Sequence, residues 1–256
     1  MAYEGLNFKV PKELPDYREC SDFALDCIKT IIADAINKGR NKILINTNLR
    51  FGLPMENINK VAGPFVEAWA YEVFYEILQD KNNKYRLINV EALKRLNMAD
   101  ILLQFKRERK TFSSVTGHID VKATSEDIAN SGKSPNITSF ARIRTAYVKD
   151  PDFIFVILSL KHKVYTEQDA KTKSISGIME VSGYNAYDLK YLSDADISFN
   201  PALGSGQLQV RDIHYVTLQV RDVWEFCKIL DRKCMASKKV GYDGWLEYAK
   251  QFGWIK

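Results

Sequence analysis

The sequence predicts an α/β (α+β) chain in which a central mixed β-sheet is flanked by helices. Three observations predict this. Two strand-like runs at 99–105 and 114–122 flank the charged segment Lys106-Arg107-Glu108-Arg109-Lys110 and read as a hairpin with a solvated tip. An unbroken apolar run, Phe153-Ile154-Phe155-Val156-Ile157-Leu158-Ser159-Leu160, reads as a strand buried on both faces. Segments of helical periodicity lie before and after these strands. With 256 residues, 46% of them hydrophobic, the chain can bury a sizeable core in one domain, 1–256.

Along the chain, residues 22–38 form the first predicted helix: Phe23, Ile28, Ile31, Ile32 and Ala35 recur at helical spacing, and Gly39 supplies a stop. Residues 41–59 read as a strand fragment followed by an exposed loop. A better defined helix covers 63–78, with Pro64 suited to its first turn and Asp80, Asn82 and Asn83 ending the pattern. After the hairpin comes a polar loop at 124–138, then a helix at 139–148 and the buried strand. Weaker strands are expected at 177–181 and 215–220, and helices at 223–230 and 242–252. Neither an internal repeat nor a low-complexity tract interrupts this order.

The charge balance, 37 basic against 32 acidic residues for a formal +5, is compatible with a nucleic-acid face or with an ordinary solvated surface. The N-terminus lacks a basic segment followed by an apolar stretch, and no run of about 18 apolar residues occurs, so a soluble cytoplasmic protein without membrane partners is expected. Cys20 with Cys27 and Cys227 with Cys234 repeat one spacing. It sets each pair on one helix face and reads as core or surface thiols, because structural zinc wants ligands closer in sequence.

Chemistry concentrates on the hairpin. In Asp120-Val121-Lys122 the two charged side chains leave the same face of a strand, because side chains alternate with period two. Asp100 opens the partner strand. Two carboxylates converging from neighbouring strands suit Mg²⁺, which takes a few protein oxygens, keeps several waters and draws further ligands from phosphate. A lysine beside them can orient or deprotonate an attacking water, or stabilise charge developing on phosphorus. Alone, a D-x-K triplet also fits a surface ion pair. On the 63–78 helix, Glu67, Tyr71, Phe74 and Leu78 share one stripe, so Glu67 is either a helix-start carboxylate favoured by the dipole or a supporting member of the site. His118 is a candidate base or a structural histidine.

The ordered set Glu67, Asp100 and Asp120-Val121-Lys122 resembles the PD-(D/E)xK nucleases, with Ala99 where a proline often precedes the first aspartate. Further blocks at Pro64-Phe65-Val66-Glu67, Ala99-Asp100-Ile101-Leu102-Leu103, Pro135-Asn136-Ile137-Thr138-Ser139 and Gln207-Leu208-Gln209-Val210-Arg211-Asp212 resemble the HincII-like type II restriction endonucleases of the EcoRV-like branch. The resemblance implies a restriction-endonuclease-like fold and a Mg²⁺-dependent homodimer that cuts both strands of a palindromic duplex DNA site, leaving 5′-phosphates. It further implies that Asp100 and Asp120 hold metal, Lys122 positions the water and Glu67 supports them. A six-base palindrome with a central blunt cut goes with the closest form of the resemblance. A structure-specific repair nuclease using the same site, or a DNA-binding protein that has kept the fold without catalysis, are the alternative readings.

Two loops carry groups suited to DNA bases. In the first, Ser125, Asn130, Ser131, Lys133, Ser134, Asn136, Thr138 and Ser139 supply donors and acceptors, and Gly132 permits close backbone approach. Asn136 is the leading candidate, since Asn can bond adenine bidentately in the major groove, though an Asn after Pro135 also suits a turn. The second loop, 200–207, offers Asn200 and Gln207; the matching segment of the resembled enzymes approaches the bases, which makes these two candidate readers. Arg142, Arg144, Lys149, Lys171, Lys173, Lys238 and Lys239 are candidates for phosphate contacts, which fix register without reading sequence, or for plain solvation.

Overall fold

A computed structural model of the chain describes residues 3–49, 51–94, 97–107 and 114–256. Arg50 and most of the predicted hairpin tip, residues 108–113, lie outside the described residues.

Among the described residues the chain forms α1 (Tyr17–Asn37), β1 (Lys42–Ile45), α2 (Met55–Lys60), α3 (Ala62–Gln79), β2 (Leu87–Ala92), β3 (Ile101–Lys106), β4 (Ser114–Ser125) and β5 (Asn136–Ser139). Then follow α4 (Phe140–Lys149), β6 (Ile154–Gln168), β7 (Ile175–Asp188), β8 (Ile197–Asn200), β9 (Gln207–Val210), α5 (Val223–Met235) and α6 (Gly241–Gln251). Six strands make one mixed sheet in the order β1-β7-β6-β4-β3-β2, and three make a smaller sheet in the order β5-β9-β8. Within the large sheet β4 and β6 run parallel, with α4 in the connection between them, while the other neighbours are antiparallel. The predicted mixed sheet flanked by helices is therefore the observed architecture.

The apolar run of β6 explains why the sheet sits where it does. Ile154, Val156, Leu158 and Leu160 face a core shared with α1 and α3, while Phe155 and Ile157 face a second core built with α4, α5, α6 and the small sheet. A strand buried on both faces has no polar side to alternate with, hence the continuous hydrophobic run. Two arginines of this scaffold are tied down rather than solvated. Arg107, just past β3, pairs with Asp16 (2.9 Å) and Glu19 (2.6 Å) at the start of α1. Arg144 of α4 is fully buried, bonds Asp231 of α5 at 3.0 and 3.1 Å, and lies over the rings of Trp224 and Trp254. Arg144 is thus a core tie, which corrects its place among the phosphate-contact candidates.

Other departures from the sequence reading have local causes. The expected 41–59 loop contains α2, held by an Ile58 side chain that is fully buried and by a Glu56–Lys60 pair one turn apart at 2.7 Å. An edge strand, β2, was not expected, since only two of its six residues are buried and its pairing with β3 shifts between Leu87 and Asn89. The segment 215–220 is extended but makes only an isolated bridge, Leu192 with Leu218; its Tyr215, Leu218 and Val220 are exposed. Apolar alternation there faces solvent, not a core. All four cysteines are free thiols, those of α5 buried in the second core.

Candidate active site

The β3–β4 hairpin has the expected pairing: Ile101 opposite Ile119, through to Lys106 opposite Ser114. One residue before β3, Asp100 continues this ladder, donating its N–H to the Ile119 carbonyl at 2.9 Å and accepting the Leu93 N–H on its own carbonyl at 2.7 Å. Its backbone is therefore clamped between two segments, and its side chain turns toward β4, where Oδ2 accepts the Val121 N–H at 2.8 Å.

Asp120 and Lys122 share a face of β4, as period two requires, and they touch: Lys122 Nζ donates to Asp120 Oδ1 at 2.7 Å. Asp120 Oδ2 lies 2.6 Å from the same ammonium in ion-pair contact but outside hydrogen-bond geometry, so it is a buried carboxylate oxygen that accepts no hydrogen bond. Asp120 is 4% exposed. Burial pushes its carboxyl up to about 7; the Lys122 ammonium opposes that rise, and the carboxylates of Asp100 and Glu67 add to it. Half-buried Glu67 is raised as well, first by burial and then by Asp100, with Lys122 again opposing. Glu67 and Asp100 line one open cleft together with Pro64, Tyr71 and Leu93. The helix stripe that begins with Glu67 thus delivers its carboxylate to the same place as the two strand aspartates. All four predicted residues are brought together.

Three carboxylates gathered around one lysine repel one another unless a cation joins them. Among the described residues no three His, Cys, Asp or Glu side chains form a closed metal cluster. The donor set nevertheless fits a hard divalent cation: two aspartates from adjacent strands, with Asp120 Oδ2 buried and unbonded, leave room for water and phosphate oxygens to complete a Mg²⁺ shell. His118, by contrast, stacks on Phe153 with ring centroids 4.3 Å apart, and burial depresses its pKa. It contacts none of the four site residues in the interactions described, and its surroundings are those of a packed ring.

The two predicted DNA-facing loops meet in the small sheet. Asn136 pairs with Gln209, Ser139 with Gln207, and Gln207 in turn with Asn200, so β5, β9 and β8 set the three candidate amides and a hydroxyl in one array. Ser139 Oγ is 3.0 Å from Ser205 Oγ, and Asn200 Oδ1 accepts the Ala202 N–H at 3.0 Å, closing the turn that leads to Gly204 and Gly206. Asn130 and Ser134 adopt left-handed backbone conformations in the preceding loop. Lys133 is ion-paired with Asp212, and Thr138 is buried, whereas Asn136 and Arg142 are exposed. Lys149, Lys171, Lys173, Lys238 and Lys239 are exposed too. Ser205 and Gln209 were missed from sequence, because only the β5–β9–β8 pairing, distant in sequence, brings them to this surface.

Comparison with known proteins gives the family. The family described as "Type II restriction endonuclease HpaI" matches residues 4–253. A curated relative from Haemophilus parainfluenzae, "Type II restriction enzyme HpaI", is 54% identical over 256 residues, covering 100% of both chains. Among solved structures, the NlaIV restriction endonuclease superposes with a TM-score of 0.47 at 11% identity, over 88% of this chain and 87% of that one. With a family match running nearly end to end and a full-length relative sharing more than half its residues, the chain belongs to the HpaI family of type II restriction endonucleases.

Proposed function

We propose that this chain is a Mg²⁺-dependent site-specific deoxyribonuclease that acts as a homodimer in the cytoplasm. It hydrolyses one phosphodiester bond in each strand of a short palindromic duplex and leaves 5′-phosphates, and a blunt cut in a six-base site is the narrowest form of the proposal. The observation that carries it is the meeting of Asp120 and Lys122 with Asp100 and Glu67, the last two lining an open cleft, in a chain of this family.

Asp100 and Asp120 would hold the cation, which when bound supplies charge stabilisation at the scissile phosphate. Asp120 Oδ2, which accepts no hydrogen bond although the Lys122 ammonium lies beside it, is the oxygen it would offer. Asp100 presents its carboxylate from a backbone fixed on both sides, and the Val121 N–H orients it. Lys122 bonds Asp120 in the structure, and beside a bound cation its ammonium would orient the attacking water and stabilise the developing negative charge. Glu67 reaches in from α3, and its raised affinity for a proton suits a group that shares the cation's field or relays a proton from the water.

Base recognition would fall to the small sheet and the loop before it: Asn136, Ser139, Asn200 and Gln207, with Asn130, Ser134 and Lys133 beside them. Thr138 would contribute through the backbone of β5, and Arg142 on α4 would bear on phosphate. Three amide-bearing strands side by side favour sequence readout over shape recognition, which needs backbone contacts alone. A supercoiled plasmid of known sequence tests the proposal: Mg²⁺ should give linear product whose ends map to one palindrome and ligate without added phosphate. Nicked circles only, ends at scattered sequences, or ends lacking 5′-phosphate would contradict it.

A further inference from the structure

We infer that Gln209 is a specificity-determining positioning residue: it fixes the Asn136 carboxamide with its nitrogen outward, so that Asn136 serves as a hydrogen-bond donor to a base acceptor. The inference rests on the reading of this surface as the DNA-facing one and adds to it which atom does the reading.

Gln209 of β9 lies opposite Asn136 of β5 in the register of the small sheet. Its Nε2 donates twice, to the Ser134 carbonyl at 3.0 Å and to Asn136 Oδ1 at 3.0 Å. An amide nitrogen has two hydrogens, so both are spent. The first bond anchors Gln209 to a backbone carbonyl that cannot rotate away. The second occupies the oxygen of Asn136, leaving Nδ2 as the end that faces solvent on an exposed residue.

Two backbone features hold this arrangement. Ser134 has φ of 49°, a left-handed conformation that a serine adopts only under constraint, and β9 with the residue after it supplies the constraint from both directions: the Ser134 N–H donates to the Arg211 carbonyl at 3.1 Å while its carbonyl receives Gln209. The β5–β9 pairing also shifts register between Asn136 and Thr138, the kind of irregularity that re-aims a strand side chain. A turn under strain, a bulge and a double-donor amide therefore converge on the orientation of one carboxamide.

The chemistry that follows differs from the bidentate adenine contact expected of a free asparagine. That contact needs Oδ1 as acceptor and Nδ2 as donor together. With Oδ1 held inward on Gln209, Asn136 presents its two Nδ2 hydrogens outward, whose complement in the major groove is an edge carrying adjacent acceptors, N7 and O6 of guanine. Replacing Gln209 by Glu removes both donors and supplies an acceptor instead. The Asn136 amide then turns its nitrogen inward to the new carboxylate and its oxygen outward, and the preferred base group becomes a donor, N6 of adenine or N4 of cytosine.

The test compares purified wild type, Gln209→Leu and Gln209→Glu on a pool of duplexes carrying the wild-type site with every single base-pair change, sequencing the cut molecules. Wild type should require guanine at one symmetry-related pair of positions. Gln209→Leu should lose roughly tenfold or more of the preference there and leave the others unchanged; Gln209→Glu should move it toward adenine or cytosine. A mere folding defect would lower cutting at all sequences alike and leave the preference profile in place. Wild-type cutting whose profile is unchanged in both variants overturns the role of Gln209. Wild-type cutting without any guanine requirement overturns the outward-nitrogen orientation. A wild type that cuts no sequence selectively overturns the nuclease proposal itself.

Discussion

At the residue scale, the buried carboxylate of Asp120 is the point where stability and function conflict. Its carboxyl, 3.8 when unperturbed, is held at about 7 in the folded protein, so ionisation favours unfolding: stability is fullest below 3.8 and is lost as pH rises through about 7. In EDTA, Asp120→Asn should therefore be more stable than wild type at alkaline pH by roughly 2–4 kcal/mol, with the gain vanishing in acid. Thermal melts across pH check this; a variant less stable than wild type at every pH would contradict it. Adding Mg²⁺ should close most of this gap, since a ligand at about a hundredfold excess over its Kd stabilises by about 2.7 kcal/mol and the variant has lost a cation ligand. Most of this site was legible in the sequence. Period two alone placed Asp120 and Lys122 on one face, and helical spacing put Glu67 at the head of its stripe. Gln209 was not legible as a site residue, because its meaning depends on a partner, Asn136, that only folding brings across from it.

At the element scale, two ties hold the layers that present the site. Asp231 of α5 receives Arg144 of α4, the Trp245 ring N–H at 3.0 Å and the Tyr3 hydroxyl at 2.8 Å. Asp231→Ala would leave the Arg144 guanidinium buried without its counter-charge, at a cost of about 3–5 kcal/mol. Urea denaturation measures it, and a loss well under 1 kcal/mol would mean that water or another acceptor replaces the carboxylate. The second tie is steric. Gly206 has φ of 88° and a Cβ there would collide with the Phe199 ring. Gly206→Ala should displace Phe199, loosen the β8–β9 connection and weaken discrimination between related DNA sites before it affects the hydrolytic step. Unchanged discrimination in a folded variant would show that this turn does not position the readers. Elements with a strong period, α1, α3, β4 and β6, were foreseen. Those that failed did so for physical reasons: α2 is one short helix with Ile58 as its buried side chain, β2 is an edge strand with a broken register, and 215–220 alternates toward solvent.

At the scale of the whole molecule, the two hydrophobic cores share the sheet between them, with β6 contributing Leu158 to one and Ile157 to the other. A strand common to both cores cannot unravel from one alone, so the chain should behave as one domain and melt in a single calorimetric transition whose van't Hoff and calorimetric enthalpies agree. Two resolved transitions would divide it. No helix among the described residues is long and apolar enough to cross a membrane. A palindromic site read by one copy per half would also require the active species to sediment as a dimer on DNA. The central claim is that Asp100, Asp120 and Lys122 form a metal-dependent hydrolytic site for sequence-specific cutting. Digestion of a fully sequenced phage DNA, with Mg²⁺ and with EDTA, beside Lys122→Ala, tests it most directly. Discrete bands that need Mg²⁺ and fall by at least about 100-fold in the variant are the predicted result. No cutting, or a smear that the variant leaves unchanged, would contradict it.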